Sequence, residues 1–229
     1  MSLSVDCRPC GKVYVIRCYG RIVAGEEGSL LEGAIERGLI EFVRLVLNVA
    51  EVTRVDSTGM GLLVRFLSHT RNRGGDVRLA APQPFLTTLL QLTKLGNVFR
   101  VHDSEEAAIV SFLKDPLSTS PQAGAAGPLV LFIDESPDLC AFVRTLLQGH
   151  GYEVLSTCRV RDARILLTAA KVDFIVLGPD SSRMPPDGVA ASLKSLAPSA
   201  TTVLLESGFK LGDPERAAFD LLQRMQARR

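Results

Sequence analysis

Asp56-Ser57-Thr58-Gly59-Met60-Gly61 stands between an apolar run, Phe42 to Val49, and Leu62-Leu63-Val64-Arg65-Phe66-Leu67, whose apolar residues recur at helical spacing. The six residues read as the corner where a buried strand turns into an amphipathic helix. The first backbone N–H groups of a helix have no partner inside it, and the short side-chain oxygens of Asp56 and Ser57 can accept from them. A phosphate on Ser57 would meet those N–H groups and the positive end of the helix dipole. Gly59 and Gly61 each cost about 1 kcal/mol of helix stability against Ala, a cost that close approach of another backbone would explain. The local pattern is equally met by a helix cap with no further role.

Toward the N-terminus, Ser2 to Arg8 and Lys12 to Gly20 read as two strands around a Pro-Cys-Gly turn. Glu26 to Gly38 reads as a helix with Leu30, Leu31, Ala34 and Ile35 as its apolar stripe and Gly38 as its stop. Phe42 to Val49 is nearly all apolar, as in a strand covered on both faces. Beyond the corner come a helix from Met60 to Arg71, a Gly74-Gly75 turn and a strand from Val77 to Ala81. Pro84 to Leu95 follows as a helix with Phe85, Leu86, Leu89, Leu90 and Leu92 as its expected buried face. Phe99 to His102 reads as an edge strand. Ser104 caps a last helix with Glu105 and Glu106 in its first turn.

Several of these stretches, in this order, resemble the STAS family of anti-sigma factor antagonists, over about residues 10 to 113. They are Leu45-Val46-Leu47-Asn48, Val52-Thr53-Arg54-Val55, the Asp56 to Gly61 corner, Arg73-Gly74-Gly75-Asp76-Val77-Arg78-Leu79, and Leu92-Thr93-Lys94-Leu95-Gly96 before Phe99. The resemblance implies a mixed β-sheet with helices. It also implies a serine after the motif aspartate, here Ser57, that a partner kinase phosphorylates. That kinase is itself an anti-sigma factor and binds only the unphosphorylated form. Thr58 is a lesser candidate for the phosphate, and Asp56, Ser57, Thr58, Gly59, Met60 and Gly61 are the expected partner interface. Two positions depart from the family: Val23 follows Gly20-Arg21-Ile22, and Asn48 ends the third strand, where many members carry Asp.

Composition bounds the alternatives. The chain has 229 residues, 46% hydrophobic and 22% charged, with a net charge of +1, so two ordinary cores fit and no global field favours nucleic acid. The N-terminus has no basic region followed by an apolar stretch, and no apolar run approaches the length of a membrane span. A cytoplasmic protein is expected. Cys7-x-x-Cys10 has metal-ligand spacing but no second pair or His at a matching distance. Cys18, Cys140 and Cys158 complete a set read as reduced thiols, with Cys18 buried. No cofactor is expected. His69, His102 and His150 have no Ser or Cys partner at a recognisable elbow and read as surface or packing residues. With no nucleophile, base and orienting group converging, an enzyme is the least expected class.

Asp115 to Pro128 is rich in Pro, Ser, Ala and Gly and cannot bury enough apolar surface to order itself. It is read as a flexible linker, residues 115–128, between domains at 1–114 and 129–229. In the second, Leu129 to Ile133 is a strand ending in Asp134-Glu135, and Ser136-Pro137-Asp138 starts a helix through Gln148. Tyr152 to Leu155, Val160 to Ala170 and Phe174 to Leu177 continue as strand, helix, strand. That alternation implies a parallel sheet with helices on both faces. Two acids at the end of the first strand suit a hard cation such as magnesium or simply cap the helix; metal binding at Asp134 and Glu135 is a weak expectation.

This half resembles a response-regulator receiver domain over about residues 129 to 210, on Leu131 to Asp138, Gly149 to Val154, Val172 to Leu177 and Met184-Pro185-Pro186-Asp187-Gly188. The resemblance implies a flavodoxin-like parallel sheet, here truncated, because only one helix fits between Asp213 and Arg229 and the fifth strand is missing. The position where receivers carry the phosphorylated Asp is Gly178, with Asp180 two residues later as a weak substitute. Ser207 matches the switch hydroxyl. The receiver lysine has no match. Losing acceptor and lysine removes both nucleophile and charge stabiliser, so the expected role is a pseudo-receiver for docking or homodimerisation, its degenerate pocket formed by Asp134, Glu135, Gly178 and Ser207. Three functions remain open: a regulatory binding protein switched at Ser57, a phosphorelay protein with a STAS output, and a scaffold in which Ser57 is an inert cap.

Overall fold

Residues 2–115, 127–181, 186–205 and 220–225 are described by the computed structural model. The chain divides into two compact units, Met1–Phe112 and Leu113–Arg229. The first contains, in order, β1 (Ser4–Cys10), β2 (Val13–Ile22), α1 (Glu26–Glu41), β3 (Arg44–Val55), α2 (Ser57–Asn72), β4 (Asp76–Ala80), α3 (Pro84–Leu92), a single 3-10 turn at Leu95–Asn97, β5 (Arg100–His102) and α4 (Glu105–Lys114). Its strands lie in the order β5-β4-β3-β2-β1. β1 and β2 are antiparallel and the other pairs parallel. The sheet is therefore mixed. Ile16, Leu45, Leu47 and Leu79 from the strands meet Leu31 and Ile35 of α1, Leu63 and Leu67 of α2, and Leu86 and Leu90 of α3 in one core.

Tertiary packing moves several element ends from where local pattern puts them. The β1–β2 turn is Gly11-Lys12, because Pro9 pairs with Tyr14 and Cys10 with Val13; Gly11 takes φ 60, as a two-residue hairpin turn requires. α1 does not stop at Gly38. A methyl at that position would fall 2.6 Å from Tyr14 Cε1, so Gly38 is a close-approach residue inside the helix, and Phe42 stacks on the same ring at 5.5 Å. β3 runs six residues beyond Val49, pairing with β2 as far as Val55 opposite Ile22. α3 ends at Leu92, and Lys94 takes a left-handed φ of 58. Only Leu86 and Leu90 of its expected buried face are buried; Phe85 is 39% exposed and Leu92 78% exposed.

The second unit contains β6 (Leu129–Ile133), α5 (Pro137–Gly149), β7 (Glu153–Thr157), α6 (Val160–Ala169), β8 (Phe174–Leu177), α7 (Pro186–Leu196) and β9 (Thr201–Leu204). Residues 220–225 are again helical. The strands are ordered β7-β6-β8-β9, and every pair is parallel. Ser136 caps α5, its Oγ accepting from Leu139 N at 3.2 Å. Val130 and Phe132 pack with Leu139, Val143, Leu147, Leu221 and Met225. Leu131 and Ile133, also buried, point to the opposite face, where α6 touches both β6 and β7. Continuous apolar strands follow from burial on both sides. Among the described residues no helix is long and apolar enough to cross a membrane. Most of the expected linker, together with Met184, Pro185, Ser207 and the Asp213 helix start, lies outside the described residues.

Candidate functional site

At the β3–α2 corner, Asp56 is the N-cap and Ser57 the first helical residue. Asp56 Oδ1 accepts from Gly59 N at 2.7 Å, and Oδ2 accepts from Ala24 N at 3.3 Å. Its own N–H donates to Ile22 O at 3.3 Å. One residue thus joins the start of α2 to the end of β2 and the loop after it. The Gly59 N–H holds the Asp56 carboxyl below its ordinary range, with help from the Ala24 and Thr58 N–H groups and the Arg54 charge. It is ionised at neutral pH.

The two glycines of the corner do different things. A methyl on Gly59 would lie 2.8 Å from the carbonyl carbon of Ile22 and closer still to its oxygen. Only glycine lets the helix start come down onto the β2 backbone there. Around Gly61 nothing lies within 4 Å of such a methyl, so the close-approach expectation holds for Gly59 alone. Met60 is 6% exposed and belongs to the core. Of the six expected interface residues, the structure brings Ser57, Thr58 and Gly61 to the surface, half-buries Asp56, and buries Gly59 and Met60.

Residues 10–108 match the family model for the STAS domain. The first unit has the STAS fold. Solved structures similar to this chain include an anti-sigma factor antagonist from Mycobacterium paratuberculosis, at 20% identity over 48% of this chain and 93% of that one, with a TM-score of 0.43. The Bacillus cell fate determinant SpoIIAA in its phosphorylated form gives 20% identity over 47% and 96%, with a TM-score of 0.39. A sulfate transporter family protein from Wolinella succinogenes gives 21% identity over 44% and 84%, with a TM-score of 0.40.

Within the STAS unit, Asn48 has a role that the sequence does not reveal. Its Nδ2 donates to Glu105 Oε2 at 2.7 Å. Glu105 also accepts from Arg8 Nη2 at 2.5 Å and from Arg17 Nε and Nη2 at 2.7 and 2.8 Å. Its side chain is 3% exposed. Read from sequence as a first-turn acid on the helix dipole, Glu105 is instead the buried anchor that ties α4 to β1, β2 and β3. Burial by itself would raise its pKa; the hydrogen bonds from Arg17, Arg8 and Asn48 overcome that and bring it down to about 2. An aspartate at position 48 would present a second carboxylate to Glu105, which accounts physically for the amide. The signal lay in Arg8 and Arg17, cations at the strand positions from which they reach Glu105.

In the second unit, Asp134 is fully buried. Oδ1 accepts from Ser136 N at 2.8 Å and Oδ2 from Asp180 N at 3.0 Å, while Glu135 N donates to Asp180 O at 3.0 Å. Burial raises the Asp134 pKa, against the pull of those two backbone N–H groups. The carboxylate staples the loop after β8 to the end of β6. Gly178 lies against it: a methyl there would fall 2.8 Å from both Cβ and Cγ of Asp134 and closer to Oδ2. The structure therefore brings Asp134, Gly178 and the Asp180 backbone together, while the Glu135 and Asp180 side chains are exposed. Among the described residues no three His, Cys, Asp or Glu side chains are placed to hold a metal ion. His69 and His150 are exposed, and His102 Nε2 lies 3.1 Å from Ser111 Oγ.

Proposed function

We propose that this chain is a non-enzymatic, cytoplasmic regulatory protein whose STAS unit binds a kinase that also acts as an anti-sigma factor, and that phosphorylation of Ser57 releases the partner. The observation that carries this reading is the Ser57 hydroxyl, exposed in the first turn of α2 on a backbone that the Asp56 cap and the Gly59–Ile22 approach hold in place. A phosphate there adds about −2 charge next to the ionised Asp56 and makes the contact surface strongly anionic. The α2 N-terminus supports the modified state locally through its N–H groups.

The second unit is a pseudo-receiver in this reading, flavodoxin-like in its β7-β6-β8-β9 order, and serves docking or homodimerisation. Gly178 facing the buried Asp134 carboxylate favours that role over aspartyl phosphorelay, since a side chain at the acceptor position has no room.

The test is affinity capture from the native cytoplasm with wild type, Ser57→Ala and Ser57→Asp as baits. Wild type and Ser57→Ala are expected to retain a kinase-like protein that Ser57→Asp loses. Incubating wild type with the captured kinase and ATP is expected to add one phosphate at Ser57. Equal capture by all three baits, or phosphate transfer to another residue, would return Ser57 to the status of a cap residue.

A further inference from the structure

Two thiols at the carboxyl-terminal edge of the second sheet have no part in the reading above. Cys140 sits in α5, and Cys158 directly follows β7. Cys140 Sγ donates to Asp134 O at 3.3 Å and lies 3.9 Å from Thr157 O, so the sulfur is set between the ends of β6 and β7. Cys158, the next residue after Thr157, is its hydrogen-bond partner through the side chain. Both are free thiols. Cys140 is 3% exposed, whereas Cys158 is half-buried. The pair is thus an inner thiol under an outer one that a small solute can reach.

The two thiols also differ in acidity. The hydrogen bond with Cys158, then burial, then the neighbouring Asp134 charge, keep Cys140 protonated. The same hydrogen bond lowers the pKa of Cys158 against the opposing pull of burial and the Asp134 charge, with a smaller contribution from Arg159. Sensor cysteines are accessible thiols of lowered pKa poised next to a second, resolving cysteine.

We propose that Cys140 and Cys158 are a thiol oxidation site that closes to a reversible disulfide when the protein meets a hydroperoxide. The Cys158 thiolate attacks one oxygen of hydrogen peroxide, and the O–O bond breaks. The sulfur is oxidised to a sulfenic acid, and the departing hydroxide is neutralised by the proton that Cys158 released. Cys140 sulfur then attacks the Cys158 sulfur, the S–O bond breaks, and the hydroxyl leaves as water with the Cys140 proton. In sum, two thiols and one peroxide give one disulfide and two waters. A dithiol reverses the reaction by exchange. The bond ties α5 to the β7–α6 connection on either side of the Asp134 staple, so it restrains the corner where the three strand ends meet.

The experiment uses the full chain, treated with equimolar hydrogen peroxide, quenched with an alkylating agent and mapped by peptide mass. Of the five free thiols, Cys140 and Cys158 are expected to escape alkylation as one crosslinked peptide pair, recovered by dithiothreitol. Hydrogen exchange across residues 129–157 is expected to slow several-fold in the oxidised protein. Cys140→Ser is expected to leave a sulfenic acid on Cys158 that dimedone captures. Continued alkylation of both thiols under conditions that oxidise Cys7 would overturn the proposal. So would over-oxidation of Cys158 without a crosslink in the wild-type protein, a readout that needs no variant to fold.

Discussion

Gly178→Ala puts a methyl group against a buried carboxylate, and its cost can be worked from the contacts around it. The new carbon would lie 2.8 Å from Cβ and Cγ of Asp134, where about 3.5–4.0 Å is the ordinary separation of two carbons. Asp134 has to retreat by about 1 Å, enough to break the 3.0 Å bond that Oδ2 accepts from Asp180 N. Leaving a buried donor or acceptor unsatisfied costs about 1–3 kcal/mol. Gly178 has no positive φ, so alanine meets no backbone strain, and about 2 kcal/mol of local stability should be lost to the steric term alone. Asp134→Ala should cost a comparable amount, since it strands the Ser136 and Asp180 N–H groups. In the double variant the methyl occupies the space that the carboxylate vacated, so the two costs should not add. The coupling is expected to be about 2 kcal/mol. The chain has no Trp and two compact units, so one global unfolding curve is the wrong readout. Hydrogen–deuterium exchange of peptides from residues 129–205, read as opening free energies, isolates the second unit. Additive costs within about 0.5 kcal/mol, or a neutral Gly178→Ala, would refute the packing of Gly178 on Asp134.

The corner glycines should separate in sign. Gly59→Ala drives a methyl into the Ile22 carbonyl and is expected to destabilise the STAS unit by about 2–4 kcal/mol, whereas Gly61→Ala, in open space, should stabilise α2 by up to about 1 kcal/mol; exchange rates of the α2 amides give both. The Glu105 carboxyl falls from an ordinary 4.5 to about 2 in the folded chain. Its contribution to stability is therefore complete above about pH 4.5 and lost progressively as the pH falls toward about 2. Glu105→Gln should flatten that acid limb in denaturation monitored by circular dichroism. Asn48→Asp should cost roughly 2 kcal/mol at neutral pH and less in acid, where a protonated aspartic acid can again donate to Glu105.

The corner from Asp56 to Gly61 was legible because its determinants are local. A cap, a first-turn hydroxyl and an apolar period of helical spacing all lie within a dozen residues, and Asp56 does cap α2. The alternation of strand and helix after Leu129 was legible for the same reason. The ends of elements were less so. Gly38 carries the local mark of a helix stop, yet α1 continues through it because the Tyr14 ring from β2 needs the space. Leu92 fits the apolar stripe of α3 by spacing but is 78% exposed, because the helix ends there and a left-handed Lys94 redirects the chain.

Sequence by itself determined the order of strands and helices and placed a helix cap at the Asp56–Ser57 corner. Those are properties of neighbours in the chain, governed by backbone hydrogen bonding and apolar periodicity. Only the tertiary structure decided what Glu105 does, because its arginine partner Arg8 is 97 residues away and reaches it through the β1–β2 pairing. The same holds for Gly178 and Asp134, which meet because β6 and β8 pair in parallel with Ile133 opposite Leu177. It holds again for the Cys140–Cys158 pair, brought together where β6 and β7 end side by side. Sheet register turns distant positions into contacts, and the pKa of a buried group follows from those contacts rather than from its own place in the chain.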